Sequence, residues 1–316
     1  MLKDFAIRKG VNLGGWMSQC DYSRERLDGF ITRKDLEQIA SWGVDHVRLP
    51  VDYNVLETED GKLCESGFDR VSRAVEDSRE MGLKLVLDLH KTAGFSFDQG
   101  EAEEGFFGSA VLQERFYRIW ENFARRFGSM EKDVAFELLN EVTSQDYIAS
   151  WNRIAAECIR RIRMHAKDTL ILVGSYHNNA PHAVPELDPP ADSRVVYNCH
   201  CYDPLKFTHQ GAPWVQGMDT SFRMPFEEAG VTEAYFENVF GPALACARER
   251  GTGLYCGEYG VIDRASPEDT VRWYRCIHAV FEKYGMARCA WSYKQMDFGL
   301  SDSRLDGVRE ELIRYL

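Results

Sequence analysis

The 316-residue sequence lacks several features that would set it apart from ordinary globular proteins. No run of 18 apolar residues is free of charge, so we expect no membrane-spanning helix. No stretch is rich in proline, glycine or serine or low in complexity, which favours one domain over several joined by linkers. With 44% hydrophobic and 28% charged residues, the chain has the composition of a protein that folds around a large core.

Positive charge is in deficit. The chain has 38 Lys and Arg residues against 50 Asp and Glu residues, which gives a net charge of −12. A protein of this sign is repelled by the phosphates of nucleic acids and by anionic membrane surfaces. We therefore expect a neutral partner and no binding to nucleic acid or membrane. A monomer is expected as well.

The first ten residues carry basic side chains but no apolar stretch long enough for a secretion signal. As written, we expect a cytoplasmic protein, although a secreted protein trimmed of its leader would look the same. The nine cysteines are odd in number and follow no framework spacing, so we expect them to be mostly reduced.

Short apolar runs alternate with segments of helical periodicity along the whole chain. This pattern is typical of βα units around a parallel sheet, and eight such units predict an α/β protein with a single-domain (β/α)8 TIM barrel over residues 1–316. The predicted strands are Ala6–Leu13, Val44–Leu49, Leu83–Leu89, Val134–Leu139, Leu170–Val173, Val195–Cys199, Leu254–Gly257 and Arg288–Ser292.

Apolar stripes and capping residues mark the helices. Apolar residues recur every three or four positions between Ser109 and Phe127, which predicts a helix packed against the barrel. A proline and two acids after Ser266 predict the start of a helix that runs through Ala279. Residues 203–230 are irregular and contain several prolines and glycines, and we expect this excursion to lie over the barrel mouth.

Polar side chains close most of the predicted strands, at the end where a TIM barrel builds its active site. Each of them alone has an ordinary explanation, such as an ion pair or a hydrogen-bonded histidine. Seven at the same end of successive strands predict a functional site, with Trp291 on the eighth strand beside them. The seven are Arg48, His90, Asn140, Glu141, His200, Tyr202 and Glu258.

Glu141 and Glu258 follow the fourth and seventh strands, which lie opposite each other in an eight-stranded barrel. A retaining glycosidase needs two carboxyl groups about 5–5.5 Å apart, one to attack the anomeric carbon and one to protonate the leaving oxygen. Two glutamates facing each other across the mouth fit this requirement. Arg48 would keep Glu258 ionised by charge pairing.

Seven segments, in order along nearly the whole chain, resemble the glycoside hydrolases of family 5, the cellulase family, and especially its small single-domain clostridial endoglucanases. The resemblance implies a retaining mechanism without a cofactor. The segments are Gly10-Val-Asn-Leu-Gly-Gly-Trp16, His46-Val-Arg-Leu-Pro50, Leu87-Asp-Leu-His90, Phe136-Glu-Leu-Leu-Asn-Glu141, Tyr197-Asn-Cys-His-Cys-Tyr202, Gly257-Glu-Tyr-Gly260 and Trp291.

The resemblance also implies a role for each matched residue. Glu141 would be the acid/base, and Glu258 would be the nucleophile that forms the glycosyl-enzyme. Arg48 and Tyr202 would orient and stabilise the Glu258 carboxylate. His200 would lie near Glu141 and adjust its proton affinity.

Further residues are expected to contact the sugar. Asn140 would hydrogen-bond the 2-hydroxyl, a contact that strengthens in the transition state. His90 would contact the reacting sugar, and Trp291 would lie under its C–H face. Trp16 and Asn12 are expected to take part in substrate binding as well.

The resulting hypothesis is a retaining hydrolase of β-glucan, with endo-β-1,4-glucanase activity on cellulose-type or mixed-linkage chains. The same frame would serve an exo-β-1,3-glucanase or a β-mannanase, and a catalytically silent carbohydrate-binding barrel is a third alternative. A binding barrel has no need of a paired acid and nucleophile. No metal is expected at Cys199-His200-Cys201, because neighbouring strand residues point to opposite faces.

Overall fold

The structure, a computed structural model, describes residues 5–98 and 103–316. In these ranges eight parallel strands close into a barrel in sequence order, and the last pairs with the first. The single-domain TIM barrel predicted from the sequence is therefore confirmed. The strands are β1 Lys9–Asn12, β2 His46–Asp52, β3 Lys84–Lys91, β4 Val134–Glu137, β5 Ile171–Gly174, β6 Val195–Cys201, β7 Leu254–Tyr259 and β8 Ala287–Ala290.

Helices cover the outside of the barrel. The longer ones are Arg33–Ser41, Glu65–Glu80, Ala110–Phe127, Ile148–Arg163, Glu233–Glu249 and Pro267–Tyr284. Shorter helical turns are Arg24–Gly29, Tyr53–Leu56, Leu205–Thr208 and Arg309–Leu312, and 3-10 turns are Phe106–Gly108, Gln145–Tyr147, Pro181–Glu186, Phe226–Glu228, Ser303–Leu305 and Ile313–Tyr315.

Serine caps start two of the long helices, and the one at Ser266 confirms the predicted helix start. The Ser109 hydroxyl accepts a hydrogen bond from the Leu112 backbone N–H at 3.4 Å, and the Ser266 hydroxyl accepts one from the Asp269 N–H at 3.1 Å. The second helix extends beyond the predicted end at Ala279. Its apolar face stays buried up to Phe281, and the left-handed Gly285 ends it.

The apolar core lies on both sides of the barrel wall. Strand residues that point outward pack with the helices into one large cluster, which includes the buried Trp120 and Trp273. Residues that point inward fill the end of the barrel opposite the mouth and close it. This inner plug consists of Phe5, Ile7, Val86, Ala135, Leu170, Leu172, Val196, Tyr255, Ala287 and Cys289.

A bulge in β7 interrupts the alternation of inward and outward side chains. Cys199 pairs with Cys256, but His200 pairs with Glu258, so β7 has one extra residue, Gly257. As a result Gly257 and Glu258 both face the barrel interior. An added Cβ at Gly257 would lie 2.7 Å from the Asn198 side-chain oxygen, so only glycine fits there.

The excursion of residues 203–230 leaves the barrel directly after β6. It contains the helical turns Leu205–Thr208 and Phe226–Glu228 and is otherwise irregular. The excursion starts at the C-terminal end of a strand, and the mouth of a barrel lies at that end of its strands. No helix among the described residues is both long and apolar enough to cross a membrane.

The buried stripe of the helix Ala110–Phe127 gives a first prediction. Phe123 is fully buried and packs edge-on against Phe68, with ring centroids 4.9 Å apart. Phe123→Ala should lower the free energy of unfolding by about 3–5 kcal/mol, because it leaves a cavity. Val111→Ala on the same helix is the control, since Val111 is 73% exposed and its loss should change that free energy by less than about 0.5 kcal/mol. Urea unfolding measures both, and equal effects would contradict the predicted packing.

Candidate active site

The Arg48 guanidinium lies at the centre of the site and is fully buried. It binds both oxygens of Glu137, with Nε and Nη2 each 2.7 Å from one of them. Nη1 donates to Glu258 at 2.7 Å and to Asn12 at 2.9 Å. Nη2 also donates to Asn140 at 2.8 Å and lies 3.0 Å from an Asp88 oxygen. One cation from β2 thus binds groups from four other strands or strand ends.

Asp88 and Glu137 lie in two of the segments that resemble the family, but the resemblance implies no role for either residue. Both are fully buried, on β3 and β4. A charged residue in the middle of an apolar run is a signal that sequence reasoning could have used, because a buried carboxylate needs a partner. Arg48 is that partner. The sequence predicts it at the end of its strand, but β2 continues to Asp52, so Arg48 lies within the strand.

These buried charges shift one another's pKa values. Burial raises the pKa of Asp88 to about 7 even though Arg48 lowers it. Burial also raises the pKa of Glu137. Burial alone would lower the pKa of Arg48, but the charges of Asp88, Glu137 and Glu258 raise it well above its usual value. Arg48 therefore stays charged, while the carboxyl groups around it bind protons more strongly than they would in water.

Glu258 has strong hydrogen-bond donors on both carboxylate oxygens. Arg48 binds Oε1 at 2.7 Å, and the Tyr202 hydroxyl donates to Oε2 at 2.9 Å. His200 Nδ1 lies 3.6 Å from the same Oε2. Burial raises the pKa of Glu258, and the positive charge of Arg48 opposes that rise. The structure thus brings Glu258 together with the predicted partners Arg48 and Tyr202.

Glu141 has a backbone φ of 42°, an unusual value for a residue with a side chain, and its carboxyl group has neutral partners. His200 Nδ1 is 2.8 Å from Oε1, and the Asn178 amide donates to Oε2 at 2.9 Å. Burial raises the pKa of Glu141, and the Asn178 hydrogen bond lowers it in part. Sequence reasoning missed Asn178, which lies in a turn after β5 without a motif.

The hydrogen bonds around His200 determine which ring nitrogen carries the proton. Nε2 lies 3.5 Å from the Asn198 amide nitrogen, and that amide is oriented by a hydrogen bond from the Gly257 N–H to its oxygen at 3.0 Å. Nε2 therefore faces a donor and acts as acceptor, so Nδ1 carries the hydrogen that it donates to Glu141. Burial lowers the pKa of His200 to about 4, which leaves the ring neutral at neutral pH.

The two glutamates approach each other closely. Carboxylate oxygens of Glu141 and Glu258 and a ring nitrogen of His200 all lie within 4.8 Å of one another. This separation agrees with the roughly 5–5.5 Å of retaining glycosidases and is too short for the water that inverting enzymes place between their carboxyl groups. Among the described residues, the same three atoms form the one group of His, Cys, Asp and Glu close enough to ligate a metal.

Asn140 has one side-chain atom, its amide nitrogen, that does not bond to the described part of the protein. Its side-chain oxygen accepts from Arg48 at 2.8 Å, which orients the amide. The amide nitrogen is buried and has no hydrogen-bond partner among the residues that the structure describes. A buried donor without a partner is costly, so it is expected to serve a substrate hydroxyl.

His90 and Trp291 lie side by side at the mouth. Their rings are parallel within 3°, with centroids 5.7 Å apart, and both are almost completely buried. His90 Nδ1 lies 2.6 Å from Asp88 Oδ2, and its Nε2 lies 3.3 Å from the Gln19 side-chain oxygen. Both residues therefore lie beside Arg48 and its carboxylate partners, where the reacting sugar is expected from the sequence.

Asn12 and Trp16 are placed differently from that expectation. Asn12 is fully buried, its oxygen accepts from Arg48, and its amide donates to the Gly257 carbonyl at 2.9 Å. The Trp16 indole N–H donates to the Leu27 carbonyl at 2.9 Å, and 7% of the residue is exposed. Asn12 has no free polar atom for a substrate because both are engaged within the protein, so it positions Arg48 instead. Trp16 belongs to the main apolar cluster.

The rim of the mouth carries two exposed aromatic side chains. Trp214, in the excursion, is 47% exposed and contacts His209, which packs on Tyr202. Tyr147, after β4, is 37% exposed and stacks on Phe107 at 4.1 Å. Exposed aromatic faces of this kind can pack against the C–H face of a sugar.

Comparison with known proteins gives a consistent result. The sequence profile of the family described as cellulase (glycosyl hydrolase family 5) matches residues 7–297. Cellodextrinase A of Ruminococcus flavefaciens is 57% identical over 288 residues, which cover 91% of this chain and 86% of that protein. Endoglucanase C of Acetivibrio thermocellus is 33% identical over 338 residues, which cover 98% of each chain.

Solved structures share the architecture. The clostridial cellulose synthase subunit Z from Clostridioides difficile superposes with a TM-score of 0.81 and 25% identity, over 98% of this chain and 99% of that one. The endoglucanase Cel5A from Thermotoga maritima superposes with a TM-score of 0.82 and 22% identity, over 99% of this chain and 98% of that one. At this identity the second similarity concerns the fold alone.

The buried network predicts a stability loss that depends on pH. Arg48→Met leaves Asp88, Glu137 and Glu258 without their cation, so the folded protein should bind protons more strongly than the unfolded chain. Its free energy of unfolding should then fall as pH rises. We expect a loss of about 3–5 kcal/mol at pH 8 and a smaller loss at pH 5, where these carboxyl groups are closer to protonation. Urea unfolding at both pH values measures it.

Arg125→Met is the control for this change. Arg125 is exposed and pairs with Glu121 at 3.2 Å on one helix, so its loss should cost less than about 1 kcal/mol at either pH. A loss for Arg48→Met that is independent of pH would contradict the proposed charge balance.

Proposed function

Because the chain belongs to glycosyl hydrolase family 5, the cellulase family, we propose that it cleaves β-1,4-glucosidic bonds with Glu258 as nucleophile and Glu141 as acid/base. It is a glycoside hydrolase, and the family's mechanism retains the anomeric configuration. The observation that carries the assignment of roles is the difference between the partners of the two glutamates.

The charged partner favours an ionised Glu258. Arg48 donates to Glu258 at 2.7 Å and stays protonated, so it stabilises the carboxylate form. Glu141 is held by a neutral imidazole and an amide, and burial favours its protonated form. Two carboxyl groups in such different environments take opposite protonation states near neutral pH, as acid and nucleophile require.

In the first step, a Glu258 oxygen attacks the anomeric carbon, and the bond from that carbon to the glycosidic oxygen breaks. Glu141 transfers its proton to the departing oxygen, which leaves as the hydroxyl of the released sugar. The unpartnered Asn140 amide donates to the 2-hydroxyl of the reacting sugar and so stabilises the oxocarbenium-like transition state.

In the second step, water attacks the same carbon from the side that the leaving group has vacated. Glu141, now ionised, takes a proton from this water, and the ester bond to Glu258 breaks. Arg48 and Tyr202 stabilise the Glu258 carboxylate as it is released. Two inversions at one carbon return the original β configuration.

The substrate proposed is a neutral, soluble β-1,4-glucan, which includes cello-oligosaccharides. The relative with 57% identity is named a cellodextrinase and the one with 33% identity an endoglucanase, and both names favour β-1,4-glucan over β-1,3-glucan or mannan. The net charge of −12 favours a neutral ligand. All the residues proposed for chemistry lie on one chain, so a monomer suffices.

The assignment is tested with cello-oligosaccharides, lichenan, laminarin and mannan. We expect cleavage of the first two, with β products detected by NMR before mutarotation. Glu258→Gln should abolish turnover, because no nucleophile remains. Glu141→Gln should lower kcat/KM for cello-oligosaccharides by roughly 10²–10⁴-fold, because proton transfer is lost.

Glu114→Gln is the control, since Glu114 pairs with Arg161 on the surface at 2.8 Å, and it should keep full activity. An α product, full activity of Glu258→Gln, or no cleavage of any glucan would contradict the proposal.

Tyr202 gives a test of the nucleophile by pH. Tyr202→Phe removes the hydroxyl that donates to Glu258, so the carboxylate loses stabilisation and its pKa rises. The acid limb of the pH profile of kcat/KM should move to higher pH, and kcat/KM should fall about 10- to 100-fold. Tyr197→Phe is the matched control. Tyr197 lies on β6, the strand that Tyr202 follows, and its hydroxyl donates to the Asp188 carbonyl, so this change should leave the acid limb in place. An unshifted limb in Tyr202→Phe would argue against Glu258 as the group that must be ionised.

A further inference from the structure

A left-handed turn follows β5 and faces the active site. His177, Asn178 and Asn179 have φ values of 50°, 56° and 57°, and the ψ values of the first two are 49° and 50°. Residues with a Cβ rarely adopt this conformation, and three in succession form a turn of left-handed helix. Strained backbone of this kind clusters at functional sites, where the surrounding structure holds it in place.

The surroundings of the turn fix it at several points. The Asn178 backbone N–H donates to the Val142 carbonyl at 3.0 Å, which ties the turn to the residue after Glu141. The Ser175 hydroxyl donates to the Ala183 carbonyl at 2.7 Å. Gly174 leaves room for the end of the turn, since an added Cβ there would lie 2.2 Å from the Asn179 side-chain oxygen.

Two side chains of this turn reach the acid/base and its partner. The Asn178 amide donates to Glu141 Oε2 at 2.9 Å. The Asn179 amide nitrogen lies 3.4 Å from Nε2 of His200, whose Nδ1 donates to Glu141 Oε1 at 2.8 Å. His177, which precedes Asn178, contacts His182 instead, and its Nδ1 lies 3.3 Å from the His182 Nε2.

We propose that Asn178 is a positioning residue for the acid/base: its amide holds Glu141 Oε2 in the orientation that delivers the proton to the leaving oxygen. The proposal rests on the proposed function of Glu141. The terminal torsion of a glutamate is broad when no contact restricts it. With His200 on one oxygen and Asn178 on the other, the plane of the carboxyl group is fixed, and the left-handed turn is what places the second donor.

Asn178 also affects how strongly Glu141 holds its proton. A donor on the carboxylate favours the ionised form, so its removal should raise the pKa of Glu141. Other groups act on Glu141 from every neighbouring element, and they stay unchanged in an Asn178 variant. They are Arg48 on β2, His90 and Asp98 on and after β3, His200 and Tyr202 on and after β6, and Glu258 on β7.

The test compares two leaving groups. Cellotetraose needs a proton from Glu141 when its bond breaks, whereas 2,4-dinitrophenyl β-cellobioside releases a phenolate that needs none. Asn178→Ala should lower kcat/KM for cellotetraose about 10- to 100-fold and leave kcat/KM for the aryl substrate within about threefold of the unmodified enzyme. The alkaline limb of the cellotetraose profile should move up by about one pH unit.

Further variants separate the amide from the strain of the backbone. Asn178→Gly removes the same donor and tolerates a positive φ, so it should reproduce the effects of Asn178→Ala even if the alanine variant folds poorly. Asn178→Asp keeps the shape but adds a negative charge beside Glu141, which should move the alkaline limb further up. His177→Ala is the control on the same turn and should change neither substrate's kcat/KM nor the profile.

The outcomes are distinct. Loss of kcat/KM confined to cellotetraose, with the shifted alkaline limb, supports the proposal. Equal losses on both substrates, an unmoved limb, or unmodified behaviour of Asn178→Gly would overturn it, since Asn178 would then be a sugar contact or a structural residue. If the unmodified protein cleaves neither substrate, it is the proposed function that fails.

Discussion

The buried cation of Arg48 is the constraint on which the site depends. A guanidinium has five N–H donors in a rigid planar fork, and a position without water requires that carbonyl or carboxylate oxygens accept them. Glu137, Glu258 and Asn140, with Asn12 beneath them, supply those acceptors from different strands. The contacts that satisfy the buried cation therefore also hold the strands at fixed distances from one another. The positions of the side chains in the site follow from the need to supply this cation with acceptors.

The two glutamates differ because their neighbours differ. Glu258 reaches the interior through an extra residue in β7, and Glu141 has a left-handed backbone, so neither lies where regular strand geometry would place it. Such departures cost free energy, which the closed barrel around them offsets. The irregular positions are the ones that set the distance between the carboxyl groups and give one of them a charged partner and the other neutral partners.

The sequence predicts the barrel well, because eight buried strands and their helices repeat a simple pattern. It also singles out Arg48, Glu141 and Glu258, because they are charged residues within or near the ends of apolar runs, although β2 and β7 continue past the predicted ends and include Arg48 and Glu258. The bulge at Gly257 and the contact of Asn178 could not be predicted, because both depend on which residues meet across strands. The expected substrate contact of Asn12 shows the same limit: its motif marks it as part of the site, but only burial reveals that it faces Arg48.

The inner plug closes one end of the barrel and leaves the mouth as the way in and out. Its side chains close the end opposite the mouth, so nothing can pass through the barrel axis. In the proposed mechanism, the sugar that departs first and the water that replaces it would therefore use the same entrance, on the Glu141 side. The first product would have to leave the mouth before water can enter. A sugar that stays bound there would accept the glycosyl group in place of water.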